Sequence, residues 1–231
     1  MEQYKTLKKP IILIGYTKTT QNVIDNLLTI SLEKRKFDGI LLIDNNIDYE
    51  NNEVLFLKED SNNSSLFDKI NITKSYCVVI FSNQGSTSYQ IADLRSVSTV
   101  FLIENIDKSI HTITEVQHSE NAGLILSKIE GDEVIIKELI DAKVIFSSIL
   151  NHSISSYIYD ILGNNNNRLR SERLSFFGLN KPTTLLELKR KAIELDITLI
   201  GYGEYQNRES LLFNNDDLIN INEDIFFFDN N

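Results

Sequence analysis

Cysteine is nearly absent from this sequence, because Cys77 is the only one among 231 residues. A single cysteine excludes an intramolecular disulfide bond and a zinc site built from several cysteines. Cys77 also lies inside an apolar run, which predicts a buried thiol without a chemical role.

Long apolar runs and basic residues are also scarce. No apolar run approaches the roughly 18 to 20 residues that span a bilayer, and no signal peptide precedes the first predicted strand. We therefore expect a cytosolic protein. Lys and Arg number 23 against 33 Asp and Glu, which gives a net charge of −10 and a pI of about 4.8. Such an acidic balance disfavours nucleic-acid binding, because phosphate contacts need clustered Lys and Arg.

The common catalytic signatures are missing. The sequence has no G-x-S-x-G nucleophile motif and no H-E-x-x-H zinc motif. Its three histidines, His111, His118 and His152, lack the spacing of metal ligands. We therefore expect a protein that is not an enzyme.

What the sequence does contain begins with residues 10–44. An apolar run at 11–14 stops at Gly15, a polar turn and a helical apolar pattern follow, and a second apolar run ends at Asp44. This order predicts a β-α-β unit. Both runs are apolar without alternation, as expected for parallel strands that helices cover on both faces.

The same pattern continues through residue 138. Further apolar runs predict strands at 54–57 and 76–81, and two more strands are predicted at 110–116 and 132–136, with helical patterns between most of them. We therefore predict an α/β fold for residues 1–138, with a Rossmann-like, doubly wound parallel sheet.

The remaining residues predict two further parts. Residues 139–163 read as a helix, a turn and a second helix, with more apolar surface than one β-α unit needs, and we predict a crossover that forms an obligate dimer. Residues 164–231, after an Asn-rich linker, predict a small α+β subdomain. Its helix is expected at 184–195, with a capping box formed by Thr184 and Glu187; its strands are expected at 174–179, 197–201, 211–213 and 225–228.

The order of these segments resembles the regulator-of-potassium-conductance (RCK) family, of the TrkA-N/TrkA-C type. The strongest local match is Ser-Ile-His-Thr-Ile-Thr-Glu-Val-Gln-His-Ser-Glu-Asn at 109–121, followed by Gly-Asp-Glu-Val-Ile at 131–135. In the family these segments read as IR-I-AEA---EN and GAD-V-. The segments 11–16, 40–44 and 54–60 fall in the family's order, and 184–204 with 225–227 are similar to its C-terminal ligand-binding subdomain.

The resemblance implies a non-catalytic domain that senses a ligand and gates a potassium channel or a Trk/Ktr-type uptake system. The implied partners are a channel pore or a transporter membrane subunit, and further copies of the chain in a homodimer or an octameric ring. The implied location is the cytoplasm, at the inner face of the cell membrane. The resemblance leaves the cofactor open between a nucleotide and a divalent cation.

This sequence also departs from the family's patterns. Nucleotide-binding members carry G-x-G-x-x-G after the first strand, whereas residues 15–20 are Gly-Tyr-Thr-Lys-Thr-Thr and keep only the first glycine. Channel-linked members without a nucleotide also lack the full motif, so this difference favours that branch. Calcium-gated members use carboxylates around the fifth strand; Glu115 matches one of them, and Gln117 replaces a second.

Candidate ligand-binding residues lie where the predicted strands end. Gly15, Tyr16 and Thr17 follow the first strand, where the N–H groups of a helix start attract anions. Asp44 ends the second strand, where a carboxylate can accept hydrogen bonds from ribose hydroxyls. The other candidates at this edge are Asp60, for which a helix cap is the favoured alternative, and Ser82 and Asn83.

Glu115 and Glu120 are the candidate metal ligands. Two or three oxygen ligands are enough to hold a hard divalent cation weakly. Ordinary surface carboxylates are the alternative interpretation of both residues.

Two other functions fit the same sequence. The Rossmann pattern permits an NAD(P)-dependent oxidoreductase, although the missing glycines and the absence of an acid–base pair argue against it. The chain is also a candidate sensor whose small molecule binds the C-terminal subdomain.

Overall fold

The computed structural model describes residues 6–82, 88–126, 133–151, 154–162, 168–204, 210–212 and 218–229. The chain divides into two compact units, Met1–Lys143 and Val144–Asn231. Among the described residues, no helix combines the length and the apolar character needed to cross a membrane.

A six-stranded parallel sheet forms the centre of the first unit. Its strand order is β3-β2-β1-β4-β5-β6, with all neighbours parallel. Strands β2 and β3 extend the sheet to one side of β1, and the chain then crosses back so that β4, β5 and β6 extend it to the other side. A reversal of this kind is where doubly wound folds bind ligands, beyond the carboxyl ends of the strands. The strands are β1 (Ile11–Ile14), β2 (Ile40–Ile43), β3 (Val54–Leu57), β4 (Cys77–Ile80), β5 (Thr112–Val116) and β6 (Glu133–Ile136).

Helices cover this sheet on both faces, because its central strands are apolar on both sides. Every residue of β1 and β2 is buried, as their unbroken apolar sequence predicts. Ile12 and its same-face neighbours pack with Phe67 and Val100, whereas Leu13 packs on the opposite face with Ile24. These helices are α1 (Lys18–Thr29), α2 (Ser64–Ile70), α3 (Tyr89–Ile106) and α4 (Ser119–Leu126). A further helix, α5 (Lys137–Leu150), follows β6, has no buried residue and extends across the boundary between the two units.

The described part of the second unit contains an antiparallel sheet, a second pair of strands and several helices, among them the end of α5. The sheet order is β10-β9-β12-β7, and a second pair of strands joins β11 to β8. The core contains Leu188, Ile225 and Phe227, each fully buried. The elements are α6 (Ile154–Leu162), β7 (Arg168–Arg173), β8 (Thr183–Thr184), α7 (Leu185–Glu194), β9 (Ile197–Glu204), β10 (Ser210–Leu212), β11 (Leu218–Ile219) and β12 (Glu223–Asp229).

Most predicted elements are confirmed, including the pair of helices α5 and α6. The unit boundary lies within α5, after Lys143, whereas the sequence predicts boundaries after residues 138 and 163. That three-part division stays a prediction, and the predicted linker at 163–167 lies outside the described residues.

The predicted strand at 174–179 is wrong. Residues Leu174–Phe177 form a 3₁₀ helix that ends at Gly178, whose φ of +73° is left-handed. Leu174 and Phe177 are both buried, and a spacing of three residues places them on one side of a helical turn. The strand lies earlier, in the charged segment β7, which pairs with β12 along its whole length.

The predicted capping box of α7 is half formed. Thr184 accepts a hydrogen bond from the Glu187 N–H at 3.4 Å. The Glu187 carboxylate instead accepts from the Thr183 hydroxyl at 2.7 Å. Thr184 is therefore the N-cap, as predicted, and Glu187 bonds to the neighbouring residue.

Candidate functional site

A cleft opens at the carboxyl edge of the parallel sheet, and it encloses about 500 Å³ of empty space including its open mouth. Three of the predicted ligand residues, Gly15, Asp44 and Asp60, line it. Sequence analysis therefore selected residues that the fold brings to one place. The remaining lining residues are Ile14, Ile43, Asn45, Asn46, Glu59, Ser61, Asn62, Ile80, Phe81, Ala92, Arg95, Ser96 and Thr99.

Asp44 joins the two turns on one side of this cleft. The residue is 5% exposed, and one carboxylate oxygen accepts a hydrogen bond from the Tyr16 N–H at 2.7 Å. The other oxygen accepts from the Asn46 N–H, also at 2.7 Å. Each oxygen thus holds a backbone amide, and a ribose hydroxyl would have to share the carboxylate with them.

Thr17 and Thr20 close the start of α1 with their own side chains. The Thr17 hydroxyl accepts from the Thr20 N–H at 3.1 Å, and the Thr20 hydroxyl accepts from the Thr17 N–H at 2.9 Å. The Thr20 hydroxyl, which is fully buried, also lies 2.9 Å from the Gly15 carbonyl and donates to it. This reciprocal pair is a capping box that satisfies two of the free N–H groups of the helix start.

The Rossmann-like fold raises the question of a dinucleotide, whose pyrophosphate binds at this helix start when glycines allow close approach. Thr17 and Thr20 stand at the second and third glycine positions of that motif. The N–H groups of Tyr16, Thr17 and Thr20 already donate to protein side chains. The residues at the start of α1 therefore do not fit a pyrophosphate bound in the usual way.

Asp60 lies on another side of the cleft and does not cap α2. Its carboxylate accepts from the Asn62 N–H at 3.0 Å, which forms a local turn. The N-cap of α2 is Asn63, whose side chain accepts from the Ser65 N–H. The helix-cap interpretation of Asp60 is therefore wrong, because the turn delays the start of the helix by three residues.

Arg95 is the one arginine or lysine among the described residues that line this cleft. It belongs to α3, is exposed, and forms no ion pair with another described residue. Glu59, by contrast, pairs with Lys69 at 3.1 Å. The described lining thus combines the Arg95 guanidinium group with the carboxylates of Asp44, Glu59 and Asp60.

Ser82 lies beside the cleft in a hydrogen-bond network that the sequence did not reveal. Its hydroxyl donates to Asp93 at 2.9 Å, and Asp93 is fully buried within α3. Asp93 was missed because an acidic residue in a helix looks like an ordinary surface residue in the sequence, and its burial is decided by the fold. Asn83 lies outside the described residues.

The two candidate metal ligands have different environments. Glu115 is 6% exposed on β5, whereas Glu120 is exposed on α4. One Glu115 oxygen accepts from the Gln117 side chain at 3.0 Å and lies 3.6 Å from Lys137 Nζ. Burial raises the pKa of Glu115, and the positive charge of Lys137 partly opposes that effect. The described residues contain no cluster of three or more potential metal ligands, so the cation site stays a prediction.

Cys77 is buried, as predicted from its apolar run. Burial raises the pKa of its thiol to about 11, so the thiolate is scarce at neutral pH. His111 and His118 each lie 3.6 Å from a glutamate, Glu133 and Glu138 respectively.

No family model and no curated protein matches this sequence. Solved structures do match. The human SLO3 gating ring has a TM-score of 0.71 at 16% identity, over 96% of this chain and 44% of that one. The GsuK RCK domain has a TM-score of 0.47 at 14% identity, over 96% and 44% of the two chains. The Shewanella denitrificans Kef CTD in its AMP-bound form has a TM-score of 0.43 at 14% identity, over 66% and 89%.

The SLO3 match carries the structural conclusion. Nearly the whole chain shares the fold of that gating ring, so the RCK resemblance is confirmed at the level of the fold. The chain spans less than half the length of the SLO3 chain that it matches.

Proposed function

We propose that this chain is a non-catalytic regulatory domain that senses a ligand and controls potassium flux. Its partner would be a channel pore or a transporter membrane subunit, which holds the domain at the cytoplasmic face of the membrane. The observation that carries the proposal is the match of both units, in order, to a gating ring over 96% of the chain.

The surface of α5 supports assembly into a homodimer. None of the 14 residues of this helix is buried. Six of its large apolar side chains are exposed, which is unusual for a helix of a protein that has no further partner. A second copy of the chain would cover them, and an octameric ring would be the larger assembly. The six are Leu139, Ile140, Ile145, Phe146, Ile149 and Leu150.

The ligand would bind in the cleft at the carboxyl edge of the sheet, next to Gly15, Asp44 and Asp60. A nucleotide could bind there only in a way that leaves the capped start of α1 undisturbed. A divalent cation near Glu115 and Glu120 is the other proposed ligand. Allosteric coupling is typically about 1–3 kcal/mol, so several copies in a ring would act together on one pore.

Potassium flux tests the proposed function. We expect rubidium-tracer uptake in the native cells to change when this domain is deleted and to recover with the wild-type chain. Leu32→Asp, a substitution at an 80% exposed site of the first unit, should also restore regulation. Uptake that is the same with and without the domain would refute the proposal.

A titration with NADH separates the regulatory function from the oxidoreductase alternative. The strand order of the first unit permits a nicotinamide enzyme, but the threonine caps of α1 oppose pyrophosphate binding. We expect no saturable increase in NADH fluorescence and no turnover with added carbonyl compounds. Micromolar binding accompanied by turnover would instead establish the enzyme.

A further inference from the structure

Asp93, in α3, accepts hydrogen bonds at the carboxyl edge of the sheet from the residue pair after β5, from Ser82 after β4 and from Asn121 in α4. One of its oxygens accepts from the Ser82 hydroxyl at 2.9 Å and from the Gln117 N–H at 2.8 Å. The other accepts from the His118 N–H at 3.1 Å and from the Asn121 side-chain amide at 2.8 Å. A fully buried carboxylate with four donors is tightly held, because each bond offsets part of its desolvation.

Glu138 holds the other side of the same segment. Its carboxylate, in the first turn of α5, accepts from the Ser119 N–H at 3.1 Å and lies 3.4 Å from the Ser119 hydroxyl. The same oxygen is 3.6 Å from His118 Nδ1. The Glu138 N–H in turn donates to the Gln117 carbonyl at 3.2 Å.

Residues 117–121, which we call the connecting segment, therefore bond on one side to α3 and on the other to α5. The positions adjoining Asp93 in α3 face the ligand cleft, since Ala92, Arg95 and Ser96 line it. On the opposite side, α5 continues from Glu138 through the apolar residues proposed to form the dimer.

We infer that the connecting segment couples the cleft to α5, with Asp93 bonded to it on the α3 side and Glu138 bonded to it on the α5 side. A ligand that moves α3 displaces Asp93, and the backbone of the connecting segment moves with it. The Gln117 carbonyl and the Ser119 amide pass that displacement to the first turn of α5. The inference rests on the proposed regulatory function for its purpose, and its contacts lie within the first unit.

Coupling of this kind is reciprocal, so it is testable without knowing the ligand. The experiment is residue-resolved amide hydrogen exchange, followed by NMR, on the full chain. Asp93→Asn keeps the shape of the side chain but turns one acceptor oxygen into a donor. We expect faster exchange at Gln117 and His118, and also about tenfold faster exchange at Glu138, which Asp93 does not touch.

Glu138→Gln tests the coupling in the reverse direction. The Glu138 side chain is 52% exposed, so we expect this variant to fold even if Asp93→Asn does not. We expect faster exchange at Ser119, Gln117 and His118, and shifted amide resonances at Ala92 and Ser96 in the cleft wall. Asp141→Asn is the matched control. It removes one negative charge from the same helix, at an exposed residue that bonds to no other described residue, and it should change none of these signals.

Effects confined to the amides that each side chain contacts directly would overturn the inference. So would equal responses to Glu138→Gln and Asp141→Asn, because a general charge effect would then explain both. The experiment requires neither potassium nor a membrane. A chain that passes this test and fails the flux test would keep the coupling and lose the proposed function.

Discussion

At the scale of single residues, the two threonines at the start of α1 show how a small change in side chain redirects a common fold. Glycine at positions 17 and 20 would leave the N–H groups of the turn open to a ligand. The two hydroxyls instead bond to those N–H groups and to the Gly15 carbonyl. The turn is thus stabilised by the protein itself, without a bound phosphate.

Removing the Thr17 cap should therefore lower stability. We expect Thr17→Ala to reduce the free energy of unfolding by about 1 kcal/mol, the usual cost of losing an N-cap hydroxyl. Urea denaturation measures this change. Thr17→Ser retains the hydroxyl and should stay close to the wild type; an equal loss in both variants would show that the hydroxyl is not the stabilising group.

Glu115 predicts a pH dependence of stability. Burial raises its pKa in the folded chain above the unfolded value. The contribution of Glu115 to folding stability is therefore fully present below its pKa in the unfolded chain. It is lost as the pH rises through its pKa in the folded chain, where the buried carboxyl group must ionise. Glu115→Gln is neutral throughout, so its stability relative to the wild type should improve from acidic to neutral pH.

Denaturation of both chains in metal-free buffer, over a series of pH values, measures this trend. Glu120→Gln removes an exposed glutamate from the neighbouring helix and should show no comparable trend. A constant difference between Glu115→Gln and the wild type at every pH would contradict the expected cost of ionisation.

At the scale of elements, α5 has an apolar surface that the described residues leave uncovered. Ile145 is 61% exposed and Ile149 is 73% exposed. Helices in globular proteins gain most of their stability from packing an apolar face. A long helix with no buried residue therefore needs a partner, which the proposed dimer supplies.

Ile145→Asp should disrupt this dimer. A charge buried without a partner costs several kcal/mol, which corresponds to a dimer dissociation constant at least about a hundredfold weaker. Sedimentation should show the 26.5 kDa monomer at concentrations where the wild type is dimeric. Leu32→Asp places the same charge on an exposed site of the first unit and should remain dimeric; a monomeric wild type would refute the assembly.

At the scale of the whole molecule, two separate cores hold the chain together. The first unit has the core on the two faces of its parallel sheet, and the second has its own core around Ile225 and Phe227. A unit with its own core can unfold as a unit of its own.

A substitution that leaves a small cavity in one core should therefore lower the unfolding transition of that unit and leave the transition of the other unit unchanged. Ile225→Val, in the second unit, should cost about 0.5–1.5 kcal/mol and lower one calorimetric transition by roughly 4–8 °C per kcal/mol. Ile12→Val makes the same change in the first unit and should lower the other transition. If both variants shifted a single transition equally, the units would unfold as one.

The sequence by itself determined the parts of this protein that depend on local patterns. Apolar runs without alternation identify the parallel strands, because helices bury both of their faces. Helical periodicity identifies α1, α3, α5 and α7, and polar residues after each strand mark the edge where Gly15, Asp44 and Asp60 line one cleft. These features follow from neighbours along the chain, so the doubly wound parallel fold could be predicted from them. The likeness to RCK domains came separately, from the resemblance of residues 109–121 and 131–135 to that family.

Only the tertiary structure decided what depends on distant partners. The charged strand β7 exists because β12 offers a full row of hydrogen-bonding groups, and nothing local marks it. Asp93 becomes a junction because the fold brings to it Ser82, Gln117, His118 and Asn121, which lie 11, 24, 25 and 28 residues away in sequence. Hydrogen bonds and burial act over a few ångströms of space, so their partners are set only after the strands have taken their order.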